Sequence, residues 1–174
     1  MFQGNVTYFN VGTAQVAGAA GFSVQNGSDR NLFVVNASTN NTRDGFDLGK
    51  SKSNIFVSNN ISSNGVNGIE LDGCNDNQII ANGMFFNEHT GVSLDTSTGN
   101  LITENDIREN KFYGIHFAMS STDNLLLVNT VCANTIPDPT DPKNNPPKPA
   151  QIQVSKDSRP GTQSIQNIVE DVCP

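Results

Sequence analysis

The sequence predicts an all-β solenoid, a chain that winds through short strands and stacks each coil on the one before. Composition points there first. Hydrophobic residues fill 35% of the 174 positions, Trp is absent, Gly numbers 15 and Asn is the commonest residue, a profile of dense turns rather than long helices. Periodicity agrees, because no Ala/Leu/Glu/Lys-rich stretch recurs every 3.6 residues. The third observation is self-similarity at a fixed period, the mark of a stacked architecture.

The elements follow in order. Residues 5–30, NVTYFNVGTAQVAGAAGFSVQNGSDR, read as an imperfect first coil in which Gly21, Phe22 and Val24 fill a Gly-apolar-x-apolar slot. Regular repeats then start at Asn31, Asn54, Asn77, Asn100 and Asn124, spaced 23, 23, 23 and 24 residues apart. Asn recurs five residues into each (36, 59, 82, 105, 129) and again ten residues in (41, 64, 87, 110, 134). Gly recurs fourteen residues in at Gly45, Gly68, Gly91 and Gly114, each followed by an apolar pair: Phe46 and Leu48, Ile69 and Leu71, Val92 and Leu94, Ile115 and Phe117. Each repeat therefore holds three strands with alternating burial, separated by corners at Asn or Gly, residues that tolerate left-handed backbone. Stacked corners bring Asn amides into register as an asparagine ladder.

Past Asn134 the prolines of TIPDPTDPKNNPPKPA cannot join a central strand, so residues 135–149 read as a loop bulging from a corner. The coil resumes with Ile152 and Val154 in the slot of Ile115 and Phe117, and TQSIQNIV begins another coil at Thr162. The whole is a single domain over residues 1–174, with about seven coils. Cys132 and Cys173 fall near one corner of successive coils, where a bridge is compatible with the register but is not fixed by sequence. Cys74 reads as an unpaired or buried thiol, and the spacing of the three cysteines is not that of a zinc site. The first residues lead into a coil without an amphipathic capping helix, so the expectation is one part of a larger chain, its ends covered by the remainder of that chain or by a capping partner.

These repeats resemble the right-handed, single-stranded parallel β-helix superfamily that includes pectate lyases, polygalacturonases, mannuronan C5-epimerases and the periplasmic NosD-like repeat proteins. The resemblance runs over roughly residues 5–172 and implies the fold. It carries over no catalytic residue: the chain lacks the Asp-Pro-His of mannuronan epimerases, the Arg-x-Pro-x-x-Arg of pectate lyases, and the Asn-Thr-Asp, Asp-Asp and Gly-His-Gly set of polygalacturonases. The superfamily places its chemistry on the outward face of one parallel sheet.

In this sequence the Gly-apolar-x-apolar strands are richest in functional residue types. One outward row reads Asp47, Glu70, Ser93, His116, Gln153, and the next Gly49, Asp72, Asp95, Ala118, Ser155. With coils about 4.8 Å apart and alternate residues about 6.6 Å apart, Glu70, Asp72 and Asp95 should form a compact triangle. Carboxylates so placed either share a proton or hold a hard cation, so Asp72 and Asp95 are candidate Ca²⁺ ligands. His116 should lie roughly 8 Å from Asp95, and His89, Tyr113 and Arg43 come from the corner before this sheet.

The functional expectation is polysaccharide recognition or processing along this face by a secreted or cell-surface protein whose export signal lies outside the chain. Its specific form is uronan epimerase or lyase chemistry, which needs a base for the C5 proton and a group that neutralises the sugar carboxylate. His116 or His89 is the candidate base, Tyr113 the acid, Asp72 with Asp95 the calcium ligands or carboxylate-facing acids, and Glu70 a further catalytic candidate, with Asp47, Ser93, Arg43 and Gln153 toward substrate. Glu70 with Asp95 also suits a glycosidase pair, a less favoured reading. The alternative is a non-catalytic rod: a spacer, adhesin or phage-tail-like element, favoured if no groove lies beside the outward row. Copper handling fits poorly with two His and no Met cluster. A formal charge of −7 without a basic stripe excludes nucleic acid, and no apolar run approaches the roughly 18 residues a membrane span requires.

Overall fold

Three-residue strands with one buried side chain each, and four-residue strands with two, are too short to stand alone and must stack. They do so in the computed structural model of the chain, which describes residues 1–11, 19–136, 148–149, 151–154, 162–165, 167–170 and 173. The described residues form three parallel sheets and one short antiparallel pair. The first sheet stacks Phe2–Gln3, Leu32–Val34, Ile55–Val57, Gln78–Ile80, Leu101–Thr103, Leu125–Leu127 and Gln163–Ile165. The second stacks Val6–Tyr8, Ala37–Thr39, Asn60–Ser62, Gly83–Phe85, Asp106–Arg108, Thr130–Cys132 and Ile168–Glu170. The third, made of the Gly-apolar-x-apolar strands, stacks Phe22–Gln25, Phe46–Gly49, Ile69–Asp72, Val92–Asp95, Ile115–Ala118 and Ile152–Val154. This is the expected parallel β-solenoid. The expected seven coils are matched only roughly: about five turns are regular, those starting at Asn31, Asn54, Asn77, Asn100 and Asn124.

Inward residues of all three sheets build one core. Phe56, Ile79, Ile102 and Leu126 from the first, Ile61, Met84, Ile107 and Val131 from the second, and both apolar residues of each central strand of the third are fully buried. Equivalent rings stack coil on coil, as in Phe33 over Phe56 at 4.9 Å and Phe22 over Phe46 at 4.5 Å. The Asn corners form ladders. Asn59 donates its main-chain N–H and its Nδ2–H to Asn82 Oδ1 at 2.9 and 2.8 Å, Asn82 does the same to Asn105 at 2.9 and 3.1 Å, and Asn105 to Asn129 at 3.0 and 2.9 Å. The second Nδ2 proton goes to a backbone carbonyl, as from Asn82 to Phe56 O at 3.0 Å, so a fully buried amide leaves little unsatisfied.

Two expectations about the corners need correcting. The left-handed residue is the one before the ladder Asn: Val35, Ser58, Ala81, Glu104 and Val128 sit at φ of 53, 53, 52, 58 and 51°. Side chains there cost about 1–2 kcal/mol each, and the ladder that follows holds the turn. The recurring glycines, in turn, answer to space rather than handedness. A Cβ on Gly91 would come within 2.4 Å of Ile107 Cγ2 and 2.7 Å of the Gly114 carbonyl on the next coil.

The proline-rich insertion leaves and rejoins at one corner, where Thr135–Ile136 pairs antiparallel with Lys148–Pro149; residues 137–147, like Ser155, lie outside the described residues. Gln151 extends the Asn ladder beyond it, accepting from Asn134 N and Nδ2 at 3.1 and 2.9 Å. Cys132 and Cys173 form a disulfide, which settles the open pairing. Cys74 is free and fully buried, its main-chain N–H donating to Ser97 Oγ at 2.9 Å.

Candidate functional site

The third sheet aligns the outward row as the repeat requires. Asp47 pairs with Glu70, Glu70 with Ser93, Ser93 with His116, and His116 with Gln153, while Asp72 pairs with Asp95. Alternation then forces these side chains outward, because Ile69, Leu71, Val92, Leu94, Ile115 and Phe117 take the core. Glu70, Ser93 and His116 are half-buried against the adjoining corner, whereas Asp72 and Gln153 are exposed.

That corner supplies the rest of the site. The residues before the recurring glycines, Asp44, Asn67 and Thr90, form a short ladder of their own. Asn67 N–H donates to Asp44 Oδ1 at 3.0 Å, and Thr90 N–H donates to Asn67 Oδ1 at 3.1 Å. Asn67 Nδ2 reaches Glu70 Oε2 at 2.5 Å, and Asn67 Oδ1 lies 3.1 Å from His89 Nδ1. Tyr113 occupies the fourth place of this row. A file of rings runs along the rim: His89 stacks on Phe112 at 4.3 Å, Phe112 meets Tyr113 edge-on at 5.3 Å, and Tyr113 stacks on His116 at 4.7 Å.

The electrostatics follow from burial. Glu70 is pushed up to about 7, first by loss of solvent and then by the negative charges of Asp44, Asp47 and Asp95, against a hydrogen bond from Ser93 that lowers it. Asp44, fully buried, is raised mainly by desolvation, with the Asn67 N–H and the Arg43 guanidinium pulling the other way. Arg43 lies 3.5 Å from Asp44 Oδ2, an atom with no hydrogen-bond partner. Both imidazoles are lowered, His89 by desolvation against Asp44, and His116 by desolvation and by His89 against Asp95. At neutral pH the rim therefore holds two neutral imidazoles beside a carboxyl group that is partly protonated.

The strand register places Glu70, Asp72 and Asp95 on adjoining positions of the sheet. The acids that act most on Glu70 are Asp44, Asp47 and Asp95, while Asp72 extends into solvent and Asp95 accepts from Thr96 Oγ1 at 2.7 Å. Two concavities lie among the described residues, the first of them reaching Ser23, which pairs with Asp47 at the start of the row. One of about 160 Å³ is lined by Phe2, Phe22 and Phe33 at the first coil, and one of about 240 Å³ by Phe85, Phe86, Arg108 and Glu109 on the second sheet. Asp44, Asn67 and Phe112 were not singled out from sequence. Their signal was present, since Asp44 and Asn67 precede two of the recurring glycines as Thr90 and Tyr113 precede the others.

Comparison with known proteins fits this fold. The profile of one family, described as periplasmic copper-binding protein (NosD), matches residues 3–145. No curated protein gives a significant match. Among solved structures, the periplasmic alginate epimerase AlgG superposes with a TM-score of 0.75 at 15% identity, over 95% of this chain and 39% of that one. The A-module of the Azotobacter vinelandii mannuronan C-5 epimerase AlgE4 gives a TM-score of 0.65 at 18% identity, over 88% of this chain and 50% of that one. This chain therefore spans half or less of these structural relatives, and the likeness is one of fold. The residues do not fit a copper centre. Among the described residues no group of three or more His, Cys, Asp and Glu is placed to hold a metal ion, and Cys74 is sealed in the core.

Proposed function

The chain belongs to the NosD family of periplasmic copper-binding proteins, and from that premise and the geometry of its third sheet we propose that it binds a uronate polysaccharide outside the cytoplasm and acts on the sugar at C5. One observation carries the reading: two neutral imidazoles and a tyrosine stand in a single file along the rim, and the first of them, His89, is linked through Asn67 to Glu70, an acid with a pKa of about 7. The epimerase activities in the names of the two structural relatives support it.

In this proposal the C5–H bond breaks and the proton passes to a ring nitrogen of His116 or His89. The electron pair moves into the C5–C6 bond, giving an enediolate. Glu70 in its acid form donates a hydrogen bond to the sugar carboxylate where that charge develops. With His89 as the base, the Tyr113 hydroxyl gives a proton to the other face of C5 and the phenolate regains one from the imidazolium through solvent, completing epimerisation; donation of the same hydroxyl proton to the departing C4 oxygen instead gives the unsaturated product of a lyase. Asp47, Ser93 and Gln153 offer hydrogen bonds to sugar hydroxyls on successive coils, and Arg43 a positive charge at the rim. The acidic row repels a polyanion, so protonation of Glu70 and a Ca²⁺ ion between Asp72 and Asp95 would both favour binding.

The test is incubation with a panel of uronate polymers, with and without Ca²⁺, following unsaturated-product absorbance and C5 configuration by NMR. The expected result is conversion of one polymer, with at least a hundredfold loss of rate in Tyr113→Phe. Silence across the panel sinks the catalytic reading. It would leave the second one, a non-catalytic rod, which is favoured by the uniform asparagine ladder that joins coil to coil.

A further inference from the structure

We infer that Asn67 is a positioning residue that holds His89 in the tautomer protonated on Nδ1, so that Nε2 carries the lone pair. The inference concerns the site of the proposed chemistry and deepens that reading by assigning which nitrogen accepts a proton, but the tautomer stands or falls on hydrogen bonding alone.

The argument begins with the amide of Asn67, whose two ends are distinguished by their neighbours. The Thr90 main-chain N–H can only donate, and it points at Asn67 Oδ1 from 3.1 Å, so that end must be the oxygen. The opposite end lies 2.5 Å from Glu70 Oε2, a position for the Nδ2 donor. Asn67 cannot turn over without setting oxygen against oxygen and N–H against N–H. Its main chain is held as well, through the 3.0 Å bond from Asn67 N–H to Asp44 Oδ1.

His89 Nδ1 lies 3.1 Å from that fixed oxygen. Asn67 Oδ1 presents only lone pairs, so a bond forms there only when Nδ1 carries the proton. The other neighbour is permissive: Thr90 Oγ1, also 3.1 Å from Nδ1, can donate or accept. Left to Thr90 alone, Nδ1 could be the acceptor of a hydroxyl proton and the ring would carry its own proton on Nε2. Asn67 removes that option by adding a lone pair where the unprotonated Nδ1 would point its own. The stack of the imidazole on Phe112, at 4.3 Å and 13° between planes, holds the ring plane, and a turn within that plane would set a carbon against both Asn67 Oδ1 and Thr90 Oγ1. The result is a continuous chain in which His89 donates to Asn67 and Asn67 donates to Glu70.

The experiment is a long-range proton–nitrogen correlation spectrum of the uniformly ¹⁵N-labelled chain at pH 8, with the His89 ring assigned by its disappearance in His89→Gln. The wild type is expected to show a protonated Nδ1 and an unprotonated Nε2. Thr90→Val keeps that pattern, because the Asn67 oxygen remains. Asn67→Ala shifts most of the population to the Nε2-protonated form, with the Thr90 hydroxyl now donating to Nδ1. A wild-type spectrum with the proton on Nε2 overturns the inference without recourse to any variant, and so does an Asn67→Ala spectrum unchanged from wild type. The polymer panel decides the catalytic reading separately, since an Nδ1-protonated ring in a chain that converts no polymer would uphold this inference and sink that one.

Discussion

Glu70 shows how one side chain ties the fold to acid–base behaviour. Its folded-state pKa of about 7 stands above the ordinary 4.5, so between those values the folded chain binds more protons than the unfolded chain. Stability must then fall as pH rises across that window, by the linkage between proton binding and folding. Asp44 acts in the same direction, whereas His89 and His116, both lowered, withdraw stability as pH falls below 6.5. Comparison with Glu70→Gln isolates the carboxyl group. The variant should gain on the wild type from pH 4.5 upward, the difference between them shifting in its favour by on the order of 3 kcal/mol by pH 8, less whatever solvent screens at this half-buried group. Urea unfolding at a series of pH values measures this, and a difference that does not vary with pH removes Glu70 as a buried acid. The outward direction of Glu70, Ser93 and His116 was legible in sequence because alternation about the buried pair dictates it. The partners that set their chemistry were not. Asp44 and Asn67 act through contacts between corners, and a strand-by-strand pattern does not report how far a corner residue reaches over the adjoining sheet.

Among the elements, the corners decide more than the strands. The strands of each sheet repeat one short pattern of three or four residues, while each corner of the regular coils combines a left-handed residue with an Asn locked into its ladder. Position within the period was legible because Asn and Gly recur without exception from Asn31 to Asn134. The reason for each was less so. Val35 and Val128 adopt a conformation that side-chain preference alone would refuse, and what imposes it is the ladder on either side, a cooperative property of several coils. The glycines make a sharper test. Gly91→Ala forces a methyl group against Ile107 and the Gly114 carbonyl, and overpacking of this kind costs about 2–3 kcal/mol. Thermal or urea unfolding should show that loss. A substitution with no cost would mean that the coils part easily at this corner and that the close stacking is not enforced.

Across the whole molecule, the disulfide between Cys132 and Cys173 joins the coil begun at Asn124 to the strands that follow the insertion, closing a loop with a separation of 41 residues. A cross-link of that span removes chain entropy from the unfolded state worth about 3–4 kcal/mol. Reduction, or Cys173→Ser, should lower the unfolding free energy by that amount, and an unchanged urea midpoint would show that the last strands fold without it. A bond of this kind persists in oxidising compartments, in keeping with a family of periplasmic proteins. Sequence brought the two cysteines near one corner, but the side-chain vectors that permit bonding come only from the packed coils. The ladders carry a last consequence, for measurement of length. Because each regular coil passes the same asparagine hydrogen bonds to the next, the face of the molecule cannot be stretched or trimmed continuously. It changes only in increments of one coil, about 4.8 Å, so the molecule is a ruler with fixed graduations, and any linear ligand lying along its axis is read in whole marks.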